Sequence, residues 1–368
     1  MSISSKRIRT WLFNGGSIVL AGALLYLAFR GVEVEALIDA FRTAQYSWLI
    51  PLAVLVIVSN VMRVWRWQVL LRTLPDRAYR EPEQGPPPIR FMTAFASTMI
   101  GYMANYVAPR AGEFARTGHL ALQYDLRFSS VFGTVVVERV LDTLVLGIAL
   151  ITGLWYVRDR LPYFLEEAPL QLPHWFDDLA FWGSVGLAVI ALVGMTAAWL
   201  FPRVAWRTRA LYRLWIRPAL LHFWDGIDTV RSSPHPWYLV ISTIGMWGGY
   251  LLMAYIPFLM LGLADPYAIG LGDAWALMAI GALGLLVPAP GGLGSFHYIT
   301  ILALVYLYQM PEAPAASYAV LTHAAQLVFY TGAGALCLMW YGTGLRALSE
   351  VAEEESSDKE DRRASSSP

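Results

Sequence analysis

Charged residues and cysteine are scarce in this chain. Only 15% of its 368 residues are charged, against about 25% in ordinary soluble domains. A single cysteine, Cys337, excludes an intramolecular disulfide and any cysteine-rich metal cluster. The 27 basic and 27 acidic residues cancel, which removes the bulk positive charge that nucleic-acid binding uses, and no nucleic-acid partner is expected. No His/Glu/Asp spacing fits a zinc site, and no phosphate loop, nucleophile elbow or dinucleotide fingerprint occurs. Neither a metal, a cofactor nor an independent enzyme is therefore expected.

What the chain has instead is apolar length. Hydrophobic residues make up 57%, and the aromatic share of 14% includes 15 Trp, a residue that favours the membrane interface. Crossing a ~30 Å hydrocarbon core takes about 20 apolar residues. Six runs approach or exceed that length: 11–29, 47–64, 131–156, 179–201, 236–262 and 317–342. Two further apolar regions are broken. Region 91–130 is interrupted by Asn105, Pro109, Arg110, Gly112, Glu113 and Arg116, and region 272–310 by Pro288, Pro290, Gly291, Gly292 and Gly294. The fold class is thus all-α: a polytopic helical membrane protein with about six full spans and two broken, re-entrant hairpins. A re-entrant hairpin and a pair of full crossings both return the chain to its starting side, so the pattern leaves that choice open.

The flanks are short. Residues 1–10 carry Lys6, Arg7 and Arg9 and read as a cytoplasmic N-terminus before an uncleaved first span, since the run after them is too long for a typical signal core and lacks a small-residue cleavage site. The transmembrane domain occupies 11–345. Residues 346–368 are rich in Glu, Asp and Ser and predict a disordered cytoplasmic tail. If both broken regions return to their starting side, 19 Lys and Arg fall on the cytoplasmic side, Arg63 and Arg66 among them, and 4 outside: Arg30, Arg42, Arg158 and Arg160. The positive-inside rule then gives a multi-pass protein of the inner, cytoplasmic-type cell membrane with both termini cytoplasmic. In the loop 203–224, Arg209, Arg213 and Arg217 share a helical face beside Trp206, Trp215 and Trp224. This fits either a helix lying on the inner leaflet or an ordinary positively charged loop.

Charges inside the apolar regions carry the functional signal. Arg110, Glu113 and Arg116 lie in the first broken region, and Glu138, Arg139 and Asp142 in the run after it. Six unpaired charges at mid-bilayer would cost on the order of 15–20 kcal/mol. They must pair, line a wet cavity or sit at the interface. Spacing allows pairing: Glu138 and Asp142 are four apart, and Glu113 and Arg116, like Arg139 and Asp142, are three apart. A lipid-headgroup site and a structural ion-pair network both fit.

The second break reads Pro288-Ala289-Pro290-Gly291-Gly292-Leu293-Gly294 and is followed by His297. Prolines stop the incoming helix and glycines allow a tight turn and close backbone approach. A helix starting near Gly294 would turn free N–H groups toward an anion. The first break repeats the idea weakly, with Ala108-Pro109, Gly112 and Phe114. One hairpin opening to each side would form an inverted pair meeting in the middle, a device of transporters. His297 and His323 lie in apolar stretches; His297, after the glycines, is the stronger site candidate.

Three motifs together, Asn105-Tyr106-Val107-Ala108-Pro109-Arg110-Ala111-Gly112-Glu113-Phe114-Ala115-Arg116, Glu138-Arg139-Val140-Leu141-Asp142 and Pro288-Ala289-Pro290-Gly291-Gly292-Leu293-Gly294, resemble the membrane domain of the lysylphosphatidylglycerol synthase/flippase family. The resemblance covers about residues 10–345 and implies a flippase-like lipid module. Family members similar to this chain add a cytosolic aminoacyl-transferring domain or a glycosyltransferase. Only a short polar tail follows the last run here, so synthase activity is not expected. Many relatives have glutamate where this chain has His297, which sets aside a proton- or cation-coupled role for that acid.

The expected function is binding and transbilayer movement of an anionic phospholipid or lipid-linked precursor. Its expected site comprises Asn105, Arg110, Glu113, Arg116, Glu138, Arg139, Asp142, Pro290, Gly291, Gly292, Gly294 and His297. Arg110 and Arg116 would hold phosphate, the acids would orient them, and the glycine turn would supply backbone donors. The alternative is a non-transporting scaffold that presents lipid to a partner enzyme. The partner classes are a membrane lipid with an anionic headgroup and either such an enzyme or a second copy of the chain.

Overall fold

A computed structural model describes residues 18–74, 88–162, 164, 236–285, 287 and 289–341. The run 179–201, the loop 203–224, the first ten residues and the tail 346–368 lie outside the described residues.

Ten α-helices and no strand occur among the described residues. In chain order they are α1 (Ile18–Phe29), α2 (Val34–Thr43), α3 (Leu49–Leu71), α4 (Phe91–Val107), α5 (Ala111–Gln123), α6 (Phe128–Tyr156), α7 (Pro236–Met260), α8 (Leu271–Gly284), α9 (Ser295–Tyr308) and α10 (Glu312–Tyr341). Tyr46–Leu71, Trp237–Met260, Pro290–Tyr308 and Glu312–Tyr341 are long and apolar enough to cross a membrane. Val54, Ile148, Ile151, Val328 and Leu336 point outward, while Arg63, Arg66, Arg116 and Glu138 are buried. That distribution suits hydrocarbon as the surrounding solvent: backbone is satisfied within helices and charge is kept inside.

Both broken regions are helix–break–helix hairpins. The first is α4–α5. Its ends meet, because the Arg90 backbone N–H donates to Tyr124 Oη at 2.7 Å. α5 has 13 residues, a rise of about 20 Å, too short to cross the core alone. The second is α8–α9. Its ends also meet, at Arg160, which bonds Asp273 at 2.8 Å and lies 4.3 Å from the centroid of the Tyr308 ring.

The hairpins open at opposite ends of the bundle. Thr93 and Tyr341 share the end with Arg90 and Tyr124. The other end holds Arg160 and Asp273, and with them Gly31 against Glu312 and Gln45 N–H bonded to the Met260 carbonyl at 2.8 Å. The tips touch inside: a Cβ on Gly291 would collide with the ring of Tyr106. The two hairpins are therefore an inverted pair in contact at their breaks.

Close helix packing explains why the breaks carry glycine. α4 crosses α5 where Gly101 meets Gly112, and a Cβ on Gly112 would strike the Gly101 carbonyl oxygen and the Asn105 amide. Gly294, at φ 82°, sits against the backbone of Ala21 and Leu25 in α1.

Candidate functional site

α3, α5 and α6 bring seven charged side chains together. Glu138 is the centre and is fully buried. Its Oε1 accepts from Arg63 Nη1 at 2.8 Å and from Arg66 Nη2 at 3.3 Å. Its Oε2 lies 2.8 Å from Arg116 Nη2, an ion pair out of line for a hydrogen bond. Asp142, one turn along, accepts from Arg63 at 3.0 Å and from Arg66 at 2.5 Å. The two acids share a face, as their spacing predicts, and that face meets α3.

Neutral groups complete the cluster. Tyr250 Oη accepts from Arg63 Nε at 3.2 Å and from Nη2 at 3.1 Å. The Arg116 guanidinium stacks 3.6 Å from the centroid of the Trp67 indole, whose Nε1 donates to Thr134 at 2.9 Å. Such desolvated cation–π contacts contribute about 2 kcal/mol. Nε of Arg66 and Nε of Arg116 are buried without a hydrogen-bond partner.

Glu113 and Arg139 form the outer rim. Arg139 Nε is 3.5 Å from Glu113 Oε1, and 43% of the Arg139 side chain is exposed. The expected pairing of Glu113 with Arg116 within α5 is replaced by pairing across helices: Glu113 with Arg139, and Arg116 with Glu138.

Arg63 and Arg66 do not belong to a cytoplasmic loop. They are 5% and 0% exposed and lie inside the bundle. The helix that carries the second apolar run extends past residue 64, to Leu71. Val69, Leu70 and Leu71 continue it beyond both arginines, and their three-residue spacing matches the four-residue spacing of the acids. Without Arg63 and Arg66 the charge count expected on the cytoplasmic side falls from nineteen to seventeen.

The remaining expected residues are placed as follows. Asn105 reaches across the first break, where its Oδ1 accepts the Gly112 N–H at 2.7 Å and so caps the start of α5. It also lines a small internal pocket with Thr98, Tyr102 and Arg116. Arg110 stands exposed at the tip with a left-handed backbone, φ 60°. Pro290, Gly291 and Gly292 form a single tight turn against Tyr106. His297 is buried, and its ring packs on Phe29, Phe296 and His323, the last at 4.8 Å between centroids. These contacts are separate from those of the arginine–carboxylate cluster. Among the described residues no group of acids, histidines and cysteine could hold a metal ion.

Chemically, the cluster is a charge-binding device. Four guanidiniums, Arg63, Arg66, Arg116 and Arg139, face three carboxylates, Glu113, Glu138 and Asp142. Arginine stays protonated in any protein environment, so the cluster carries one surplus positive charge.

The chain is 24% identical over 369 residues to a protein named Glycosyltransferase AglD from Haloferax volcanii, covering 94% of this chain and 56% of that protein. The chain thus spans about half the length of that relative. No solved structure matches it. Residues 16–334 match the family described as lysylphosphatidylglycerol synthase TM region, with the two broken hairpins and the buried charged cluster all inside that span, and the chain belongs to this membrane family.

Proposed function

We propose that the chain binds an anionic phospholipid or lipid-linked precursor at the arginine cluster and moves it between leaflets. The observation that carries this reading is the surplus guanidinium in a buried site. A buried charge without its counter-ion costs several kcal/mol. A phosphate placed beside Arg116, whose Nε has no partner, would supply the missing negative charge. The inverted hairpins support the movement half of the proposal, since two helical breaks opening to opposite faces are the framework on which a site can be exposed alternately.

The test is reconstitution. Purified protein goes into phosphatidylcholine vesicles carrying phosphatidylglycerol labelled on its acyl chain with a reducible fluorophore. Movement appears as bleaching by external dithionite beyond the outer-leaflet share. Bleaching that stops at that share, as in protein-free vesicles, would reject transport.

A second reading is a scaffold that presents lipid to a partner enzyme. It draws on the longer Haloferax relative, whose name is that of a glycosyltransferase and of which this chain covers 56%. Anionic lipid retained on the purified protein without bleaching of the inner leaflet would favour it.

A further inference from the structure

Beside the cluster, between α5 and α6, lies a second cavity. It is an open groove of about 360 Å³ among the described residues. Phe132, Val136, Val140 and Leu144 line it, and Glu113 and Arg139 close its inner end. The same two residues also line the small pocket formed by Thr98, Tyr102, Asn105 and Arg116. One ion pair is therefore shared between an apolar groove and a polar chamber.

The two sides differ in what they can hold. The groove has the size of a small-ligand site, with walls that suit hydrocarbon. The chamber has about 10 Å³ free, room for one water at most. A headgroup can reach Arg116 only if the wall moves. Glu113–Arg139 is the part of that wall built to yield. Its separation of 3.5 Å is longer than the closest Arg63, Arg66 and Arg116 contacts, at 2.5–2.8 Å, and its arginine is far more exposed than theirs. Pairs of this exposed kind contribute little, roughly 0–1 kcal/mol.

We infer that the α5–α6 groove is a lateral port for one acyl chain of an anionic phospholipid, and that Glu113–Arg139 is its gate. The inference rests on the lipid-binding reading above and adds the route. A phospholipid lying in the groove brings its phosphate to Arg139. Phosphate competes with Glu113 for that guanidinium and forms bidentate contacts of the same geometry. Arg139 leaves Glu113, and the freed wall admits the headgroup to Arg116. In phosphatidylcholine the choline ammonium offsets the charge of the same phosphate, so that lipid competes less well with Glu113 and leaves the port mostly closed.

Occupancy of the groove can be read without any transport. Leu144→Cys in a Cys337→Ala background places a bimane label in the groove, where lipids brominated on the acyl chain quench it. Brominated phosphatidylglycerol should quench more strongly than brominated phosphatidylcholine at equal mole fraction, by about fivefold in apparent affinity for one arginine–headgroup contact. Arg139→Gln should erase the preference and Arg139→Lys should keep most of it. Glu113→Gln, which removes the competing carboxylate, should strengthen it. Equal quenching by both lipids, or a preference that survives Arg139→Gln in protein that elutes as folded, overturns the port. If the selective quenching is found but vesicles show no lipid movement, the port stands as a binding site and the transport proposal fails.

Discussion

Gly291 lies flat against the ring of Tyr106, with no room for a Cβ between them. This contact joins the tips of two hairpins that open at opposite ends of the bundle. Gly291 also holds a left-handed backbone, φ 58°. Gly291→Ala therefore meets two penalties: about 1–2 kcal/mol for the left-handed conformation, and about 1–3 kcal/mol for overpacking. We expect the detergent melting temperature to fall. Gly147→Ala is the control, since its added Cβ would have no atom within 4 Å, and it should leave stability unchanged or slightly raised. Combining Gly291→Ala with Tyr106→Ala should recover the steric part of the loss but not the backbone part. A Gly291→Ala protein as stable as wild type would mean that the tips do not pack.

The two breaks were legible in the sequence because proline and glycine act locally. Pro109 and Pro290 mark where each helix stops, and the inverted arrangement follows from the odd number of apolar runs between them, 131–156, 179–201 and 236–262. The arginine cluster was legible only in part. The spacing of Glu138 and Asp142 placed them on one face, but the partners of those acids sit some 70 residues upstream on α3, as the sequence separations of 72–79 show. Pairing over that distance is set by tertiary packing of α3 on α6, which no local pattern encodes. The glycine turn was legible in a different way. Its residues read as backbone donors for an anion, and the fold adds that Tyr106, Leu285 and α1 stand where a Cβ on Gly291, Gly292 and Gly294 would go. Glycine signals close approach without saying what approaches.

Arg110 separates folding from function in one substitution. Its left-handed backbone is one that glycine adopts without steric cost. Arg110→Gly removes the exposed charge at the hairpin tip and relieves a conformational penalty of about 1–2 kcal/mol. Movement of labelled phosphatidylglycerol should fall sharply in protein that still elutes as folded. Transport at the wild-type rate would remove Arg110 from the lipid path.

The membrane orientation expected from the charge asymmetry is open to direct labelling. Glu35 is exposed at the bundle end that holds Gly31, and Gln123 is exposed at the end that holds Arg90 and Tyr124. In a Cys337→Ala background, Glu35→Cys should react with a membrane-impermeant maleimide added to intact cells. Gln123→Cys should react only after permeabilisation. The reverse pattern would invert the protein and with it the direction assigned to each hairpin.

The charge count of the cluster makes the sharpest prediction. Glu138 pairs with Arg63, Arg66 and Arg116 at once. In Glu138→Gln those three face Asp142 alone, and Asp142 does not pair with Arg116. Removing one partner from a buried network costs about 3–5 kcal/mol, so Glu138→Gln should lower folded yield and melting temperature strongly. Arg116→Met acts in the other direction. It leaves three guanidiniums against three carboxylates, a neutral cluster, and gives up mainly the stacking on Trp67, worth about 0.5–2 kcal/mol. The Arg116→Met protein should therefore fold nearly as well as wild type and yet move phosphatidylglycerol no faster than phosphatidylcholine, losing its preference at the transport step. In the double variant, Arg63 and Arg66 face Asp142 and the gap left by Glu138, with no unpaired Arg116 beside them. Part of the Glu138→Gln loss should then return, a coupling that a double-mutant cycle on thermal unfolding measures directly. If Glu138→Gln costs less than about 1 kcal/mol, the size of a solvent-screened surface pair, water reaches the cluster freely and no buried charge is waiting for a phosphate. If Arg116→Met keeps its lipid preference, the surplus charge is not what selects the lipid.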